Sequence, residues 1–178
     1  MIKPRQYDFN ERLIWSAGFL NDGIAAILKE RLPGCYDIEK ATKNDDRNGT
    51  DYWAIRESLP PLSVDVKIRD IDWAEKGKDD LALETWSVVD IKPGWTRDAT
   101  KRTDYILWFW QDTGRFFLCV FPPLCAVFCK RWREWADRFK TAVQDSGSWK
   151  SECVFVPRKI VVASLDGWRW GTRERLTP

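Results

Sequence analysis

The segment 62–69 constrains the fold of this chain more than any other, because apolar and polar residues alternate along it without a break. The apolar residues fall on one side of an extended chain and the polar residues on the other: Leu62, Val64, Val66 and Ile68 against Ser63, Asp65, Lys67 and Arg69. Strict alternation over this length predicts a β-strand whose aliphatic face is buried. The polar face of that strand then becomes the first place to look for chemistry.

The rest of the chain adds helices and further strands. Residues 8–32 open with the capping-box pattern Asp8 to Glu11 and repeat apolar residues at helical spacing, which predicts an amphipathic helix. Pro122 and Pro123 predict the start of a basic helix over residues 124–143. Aromatic and β-branched runs predict further strands at 51–56, 81–89, 104–110, 115–121, 153–156 and 159–164. We therefore expect an α/β (α+β) protein, and the chain length predicts a single domain over residues 1–178.

The chain contains no histidine among its 178 residues. Catalytic triads with a histidine base and zinc hydrolases with histidine ligands are therefore excluded. Any catalysis must depend on carboxylates, lysine, cysteine or tyrosine, and divalent metal ions are the usual partners of carboxylates.

The strands 51–56 and 62–69 are expected to form a hairpin closed at Leu59. In that register Asp51 lies opposite Lys67 and Trp53 lies opposite Asp65, so the two aspartates and the lysine share one face of the sheet. Two carboxylates held close together repel each other unless a cation lies between them. Asp51 and Asp65 are thus predicted metal ligands, and Lys67 is predicted to position the attacking water in a hydrolysis.

These residues also resemble a known motif. Gly49-Thr50-Asp51, followed by Val64-Asp65-Val66-Lys67, is similar to the motif of the PD-(D/E)XK nuclease superfamily, although Thr50 stands where the motif has proline. The resemblance covers about residues 8–145 and extends to small nuclease-like proteins of bacteria and their phages. It implies a restriction-endonuclease-like αβββαβ core with a central mixed sheet flanked by helices. It further implies a hydrolase that cleaves nucleic acid, with DNA the expected substrate and Mg²⁺ or Mn²⁺ as cofactor.

Other carboxylates are weaker candidates for the site. Glu84 interrupts an apolar predicted strand, where an unpaired carboxylate is costly, so it is predicted to support the metal and catalysis or else to lie at an edge or beside an arginine. Glu11 is explained by its helix cap, with an acid contributed to the site by the helix as the alternative. Asp45 and Asp46 are interpreted as loop residues, with support of the site as the lesser alternative.

Positive charge is concentrated in the second half of the chain. Residues 1–90 carry a formal charge of −5 and residues 91–178 a formal charge of +7, which suits an acidic metal site beside a surface that binds phosphates. The residues predicted to contact nucleic acid are Lys101, Arg102, Lys130, Arg131 and Arg133. Simple exposure to solvent is the alternative explanation for all five.

The sequence contains no apolar run long enough for a membrane span and no signal-peptide pattern near Met1. We therefore expect a soluble, cytoplasmic protein of a bacterial or phage-infected cell, acting alone, as a homodimer or with a partner protein. Two alternatives to the nuclease remain open. One is a catalytically silent nuclease fold that binds nucleic acid or protein, and the other is an accessory or structural component of a phage.

Overall fold

A computed structural model describes residues 22–166 and places nine strands and four α-helices in them. The helices are α1 (Asp22–Arg31), α2 (Lys43–Arg47), α3 (Phe121–Arg138) and α4 (Arg158–Leu165). The strands are β1 (Cys35–Lys40), β2 (Tyr52–Arg56), β3 (Leu59–Arg69), β4 (Asp80–Val88), β5 (Lys92–Pro93), β6 (Tyr105–Trp110), β7 (Phe116–Val120), β8 (Thr141–Asp145) and β9 (Lys150–Pro157). Short 3₁₀ turns occupy Ala74–Lys76 and Trp95–Arg97.

The strands form two sheets. The first is mixed and has the order β1-β2-β3-β6-β7, in which β1, β2 and β3 form an antiparallel meander, β6 is parallel to β3, and β7 is antiparallel to β6. The second has the order β5-β4-β9-β8 and is antiparallel throughout. A mixed α/β architecture with a mixed sheet is therefore confirmed.

The two faces of β3 border two different hydrophobic cores. Val64 is buried in one core, where α1 covers the first sheet with Ile24 and Leu28. Asp65 and Lys67 point to the opposite face, because their neighbours in the parallel strand β6 are Ile106 and Trp108. That face packs into the second core, which joins the first sheet to the second sheet and to α3. The polar face of β3 therefore lies at the border of a core, where its charged groups lose much of their contact with water.

The β2–β3 hairpin closes earlier than the sequence analysis predicts. The turn falls at Glu57 and Ser58, where Ser58 has a φ of 58°, so β3 already begins at Leu59 despite the following prolines. Tyr52 consequently pairs with Val64 and Trp53 with Ser63, two positions away from the predicted register. A shift of two residues keeps every side chain on its face, so the predicted sharing of one face is retained although the predicted pairs are wrong.

Several other predictions need correction. Residues 81–89 form a strand as predicted, but this strand (β4) belongs to the second sheet and pairs with β9. The predicted strand 159–164 is helical (α4), and the predicted helix 124–143 ends at Arg138, before β8. The predicted helix 8–32 is confirmed over α1 (Asp22–Arg31). Residues 8–21 of that prediction lie outside the described part of the chain. Within residues 22–166, no helix is long and apolar enough to cross a membrane.

Candidate active site

A cleft of about 80 Å³ opens where β2 begins beside the middle of β3. Three carboxylates line it, together with two lysines and two aromatic rings: Asp46, Asp51 and Asp65, Lys67 and Lys101, Trp95 and Phe121. The structure thus brings together the three residues predicted to form the centre of the site. It also adds Asp46 and Trp95. Asp46 lies in the short helix α2, as does Asp45, so the prediction that both are loop residues is wrong, and Trp95 lies in a 3₁₀ turn.

The carboxyl groups of Asp51 and Asp65 and the ammonium group of Lys67 are held by short hydrogen bonds. Lys67 Nζ donates to Asp65 Oδ1 at 2.7 Å, and the backbone amide of Val66 donates to Asp51 Oδ2 at 2.7 Å. The side chain of Asp65 is only 9% exposed and that of Lys67 is 24% exposed. The charges are therefore fixed in position and largely withdrawn from water.

Burial dominates the protonation of Asp65. Loss of solvent raises the pKa of Asp65 to about 7; the Lys67 charge opposes this rise, while the charge of Asp51 and a hydrogen bond with its carboxyl group add to it. Burial on its own would lower the pKa of Lys67, but the negative charges of Asp65 and Asp51 outweigh it and raise that pKa. Lys67 consequently remains an ammonium group at neutral pH, while Asp65 is close to its titration point.

Asp51 is placed by a backbone connection between two loops. The amide of Arg102 donates to the carbonyl of Asn48 at 2.9 Å, and the Thr50 hydroxyl donates to the carbonyl of Arg102 at 3.0 Å. Gly49 has a φ of +94°, and a Cβ atom there would lie 2.7 Å from the hydroxyl of Thr103. Only glycine fits this approach, which explains the glycine two residues before Asp51.

Trp95 forms the wall of the cleft beside Lys67. The Lys67 ammonium lies 4.9 Å from the centre of the Trp95 ring, a distance suited to a cation–π contact. The backbone amide of Trp95 donates to Glu84 Oε2 at 2.8 Å, and the hydroxyl of Ser87 donates to the same oxygen at 2.7 Å. Glu84 is therefore occupied in holding the turn that carries Trp95, and it is not among the residues that line the cleft.

The five basic residues predicted to contact nucleic acid fall in two places. Lys101 lines the cleft, where its ammonium donates to the carbonyl of Arg47 at 2.8 Å, and the exposed Arg102 follows it. Lys130, Arg131 and Arg133 lie on α3. Arg131 is bound to Glu134 at 2.7 Å and to the hydroxyl of Ser164 at 3.0 Å.

The donor atoms of the cleft suit a hard divalent cation. Asp46, Asp51 and Asp65 offer only oxygen atoms, which Mg²⁺ and Mn²⁺ prefer, and Mg²⁺ commonly binds through one or two carboxylates with water completing its shell. Within residues 22–166, no group of three or more acidic or cysteine side chains is arranged so that it could hold a metal ion by itself.

The fold and the cleft define a mixed α/β protein with a buried aspartate, a partly buried aspartate and a lysine at one cleft. Comparisons with protein-family models, with curated proteins and with solved structures find no match to this chain. The geometry of the cleft is therefore the basis for assigning a function.

Proposed function

We propose that this protein is a metal-dependent hydrolase of phosphodiester bonds in nucleic acid, with DNA as the expected substrate and Mg²⁺ or Mn²⁺ as cofactor. The observation that carries the proposal is the placement of Asp51, Asp65 and Lys67 around one small cleft, with Lys67 hydrogen-bonded to Asp65 and the charge of Asp51 helping to raise the pKa of Asp65. A buried acid beside a second acid has a high free energy when both are ionised, and a bound cation relieves that cost.

The order of elements supports a restriction-endonuclease-like core. α1 is followed by the antiparallel meander β1-β2-β3, and the predicted acidic residues lie just before β2 and within β3. The strand that completes the αβββ part is β1, at Cys35–Lys40, rather than the predicted strand 81–89. In this proposal the second sheet is an addition, with β4 and β5 inserted between β3 and β6 along the chain and β8 and β9 following α3.

The protein side chains contribute position and charge. Lys67 keeps its proton at neutral pH, so it acts by donating hydrogen bonds and by offsetting negative charge that grows on the phosphate. Asp65, with a pKa of about 7, can accept a proton near the working pH when its carboxyl group is not engaged. A bound divalent cation would supply activation of water and polarisation of the phosphate. Glu84 contributes indirectly, by holding Trp95 against Lys67.

Cleavage assays on labelled single-stranded DNA, duplex DNA and RNA test this proposal. We expect the wild type to cleave at least one of them with Mg²⁺ or Mn²⁺, and Asp65→Asn and Lys67→Met each to lower the rate by at least about 100-fold. Glu57→Gln, in the turn of the same hairpin, is the matched control and is expected to keep full activity. Circular dichroism establishes that each variant is folded.

Full activity in both the Asp65 and the Lys67 variants would refute the proposed site. Calorimetric titration with Mn²⁺ separates the enzyme from its main alternative. Metal binding that is lost in Asp51→Asn supports the hydrolase, whereas nucleic-acid affinity without any metal binding would leave a catalytically silent binding module.

A further inference from the structure

Two arginines and two tryptophans form a cluster beside the wall of the cleft. We call this cluster the Arg-Trp patch; its members are Arg97, Arg133, Trp86 and Trp132. The Arg97 guanidinium lies 3.9 Å from the centre of the Trp132 ring and 4.5 Å from that of Trp86. The Arg133 guanidinium lies 4.6 Å from the Trp132 ring. The two indoles meet edge to face at 5.8 Å, so both cations rest on a fixed aromatic support.

Within the described part of the chain, no ion pair balances the charge of the Arg-Trp patch. Among residues 22–166, neither Arg97 nor Arg133 forms an ion pair with an acidic side chain. Burial lowers the pKa of Arg97, and the nearby charge of Arg133 lowers it further. By contrast, Arg131 on the same helix is paired with Glu134. Two guanidinium groups that share one indole ring and have no acidic partner form a site that an anion would stabilise.

The Arg-Trp patch is joined to the cleft by a single 3₁₀ turn. Trp95 lines the cleft, and Arg97 is the last residue of the same turn. Consecutive Cα atoms are about 3.8 Å apart, so the backbones of these two residues lie within about 7.6 Å. Because one turn carries both residues, a strand of a few nucleotides is long enough to contact both the cleft and the Arg-Trp patch.

We propose that the Arg-Trp patch binds a phosphate of the nucleic-acid strand whose neighbouring phosphate occupies the cleft of Asp51, Asp65 and Lys67. The planar guanidinium groups of Arg97 and Arg133 match the oxygens of a phosphate, and the indoles beneath them restrict their motion before the strand arrives. The location of the second phosphate rests on the proposed function, but binding at the patch does not. Continuity with the cleft favours a polynucleotide over an acidic peptide as the occupant.

Fluorescence anisotropy with a labelled single-stranded DNA, and with the matching duplex, measures binding by the full chain in EDTA. We expect Arg133→Gln to weaken binding about 3- to 10-fold near about 100 mM salt and to lower the salt slope by about one. Arg133 is exposed, so this variant should keep the fold. Arg97→Gln should show the same change, although Arg97 also donates to the carbonyl of Thr85 at 2.8 Å.

Arg138→Gln is the matched control. Arg138 is exposed, lies on the same helix and also rests on an aromatic ring, 5.2 Å from the centre of Phe139, but it is the last residue of α3. Its affinity and salt slope should equal those of the wild type. Comparing the affinity for the single strand with that for the duplex identifies which form of DNA supplies the phosphate.

Wild-type affinity and salt slope in Arg133→Gln would overturn the inference, as would a wild type that binds neither oligonucleotide. Competition by polyglutamate as effective as that by unlabelled DNA at equal charge would assign the patch to an acidic peptide instead. Failure of the proposed function gives a different result. Arginine-dependent binding without metal-dependent cleavage would refute the proposed hydrolase and support the phosphate site at the patch. Metal-dependent cleavage with unchanged binding in Arg133→Gln would support the hydrolase and refute the phosphate site.

Discussion

The raised pKa of Asp65 makes the stability of the protein depend on pH. Its pKa is about 7 in the folded protein against an ordinary value of 3.8, mainly because burial penalises the ionised form. The folded state therefore holds the proton more tightly than the unfolded chain does. The contribution of Asp65 to stability is greatest below pH 3.8, declines as the pH rises towards 7, and is constant at higher pH.

A pH series of urea denaturation in EDTA checks this consequence. Between pH 5 and pH 8 we expect the Asp65 carboxyl to cost the wild type about 2 to 3 kcal/mol of unfolding free energy, at about 1.4 kcal/mol per unit of pKa. Asp65→Asn should remove most of that decline. Because the chain contains no histidine, no imidazole titrates in this pH range to obscure the change. Parallel curves for the wild type and Asp65→Asn would contradict the expected ionisation.

The central residues of the site could be predicted because their positions follow from strand alternation. Asp65 and Lys67 share a face in any β-strand, and a two-residue error in register leaves Asp51 on that face. Asp46 and Trp95 could not be placed in this way. They reach the cleft from the short helix α2 and from a 3₁₀ turn, whose approach depends on contacts between separate segments of the chain, such as Trp95 with Glu84.

At the scale of elements, the 3₁₀ turn Trp95–Arg97 has the greatest influence on the site. It presents Trp95 to Lys67 and Arg97 to the Arg-Trp patch, and Gly94 fixes its closeness to β4. A Cβ atom at Gly94 would lie 2.2 Å from the carbonyl oxygen of Glu84, inside any permitted contact. The turn and the strand can therefore meet only if residue 94 is glycine.

Gly94→Ala should push this turn away from β4. We expect a loss of about 3 kcal/mol in the free energy of unfolding, measured with urea, because the clash is with backbone atoms that cannot rotate aside. Gly147→Ala is the control, since no atom lies within 4 Å of its Cβ position and only its φ of +80° is unfavourable, at about 1 to 2 kcal/mol. An equal or smaller loss for Gly94→Ala would show that the turn moves freely.

Helices and strands were predicted well where their periodicity is strong and poorly where it is weak. β1 was missed because it is an edge strand whose six side chains are all exposed or partly exposed, which leaves no alternating apolar signal. Residues 159–164 are rich in β-branched residues, yet they form α4, whose Val161 is buried in the second core. Packing in the tertiary structure outweighs local propensity there.

At the scale of the whole molecule, one hydrophobic core joins both sheets and α3. Leu83 on β4 belongs to it and has no exposed surface. Leu83→Ala should therefore cost about 2 to 5 kcal/mol and move the unfolding midpoints of circular dichroism and of tryptophan fluorescence together. Ile91→Ala, at a side chain that is 80% exposed, should change stability by no more than about 0.5 kcal/mol. Two separate transitions would contradict the prediction of a single domain.

The parallel pairing of β3 with β6 also has a consequence for the order of events on the ribosome. Because β3 and β6 are parallel, the segment between them must return to the end of the sheet at which β3 begins. This segment contains β4, whose main partner β9 is synthesised much later. The first sheet can be complete once β7 has emerged, while Leu81 and Leu83 still await β9. The growing polypeptide therefore passes through a stage in which this aliphatic strand lacks its main partner and is exposed to aggregation.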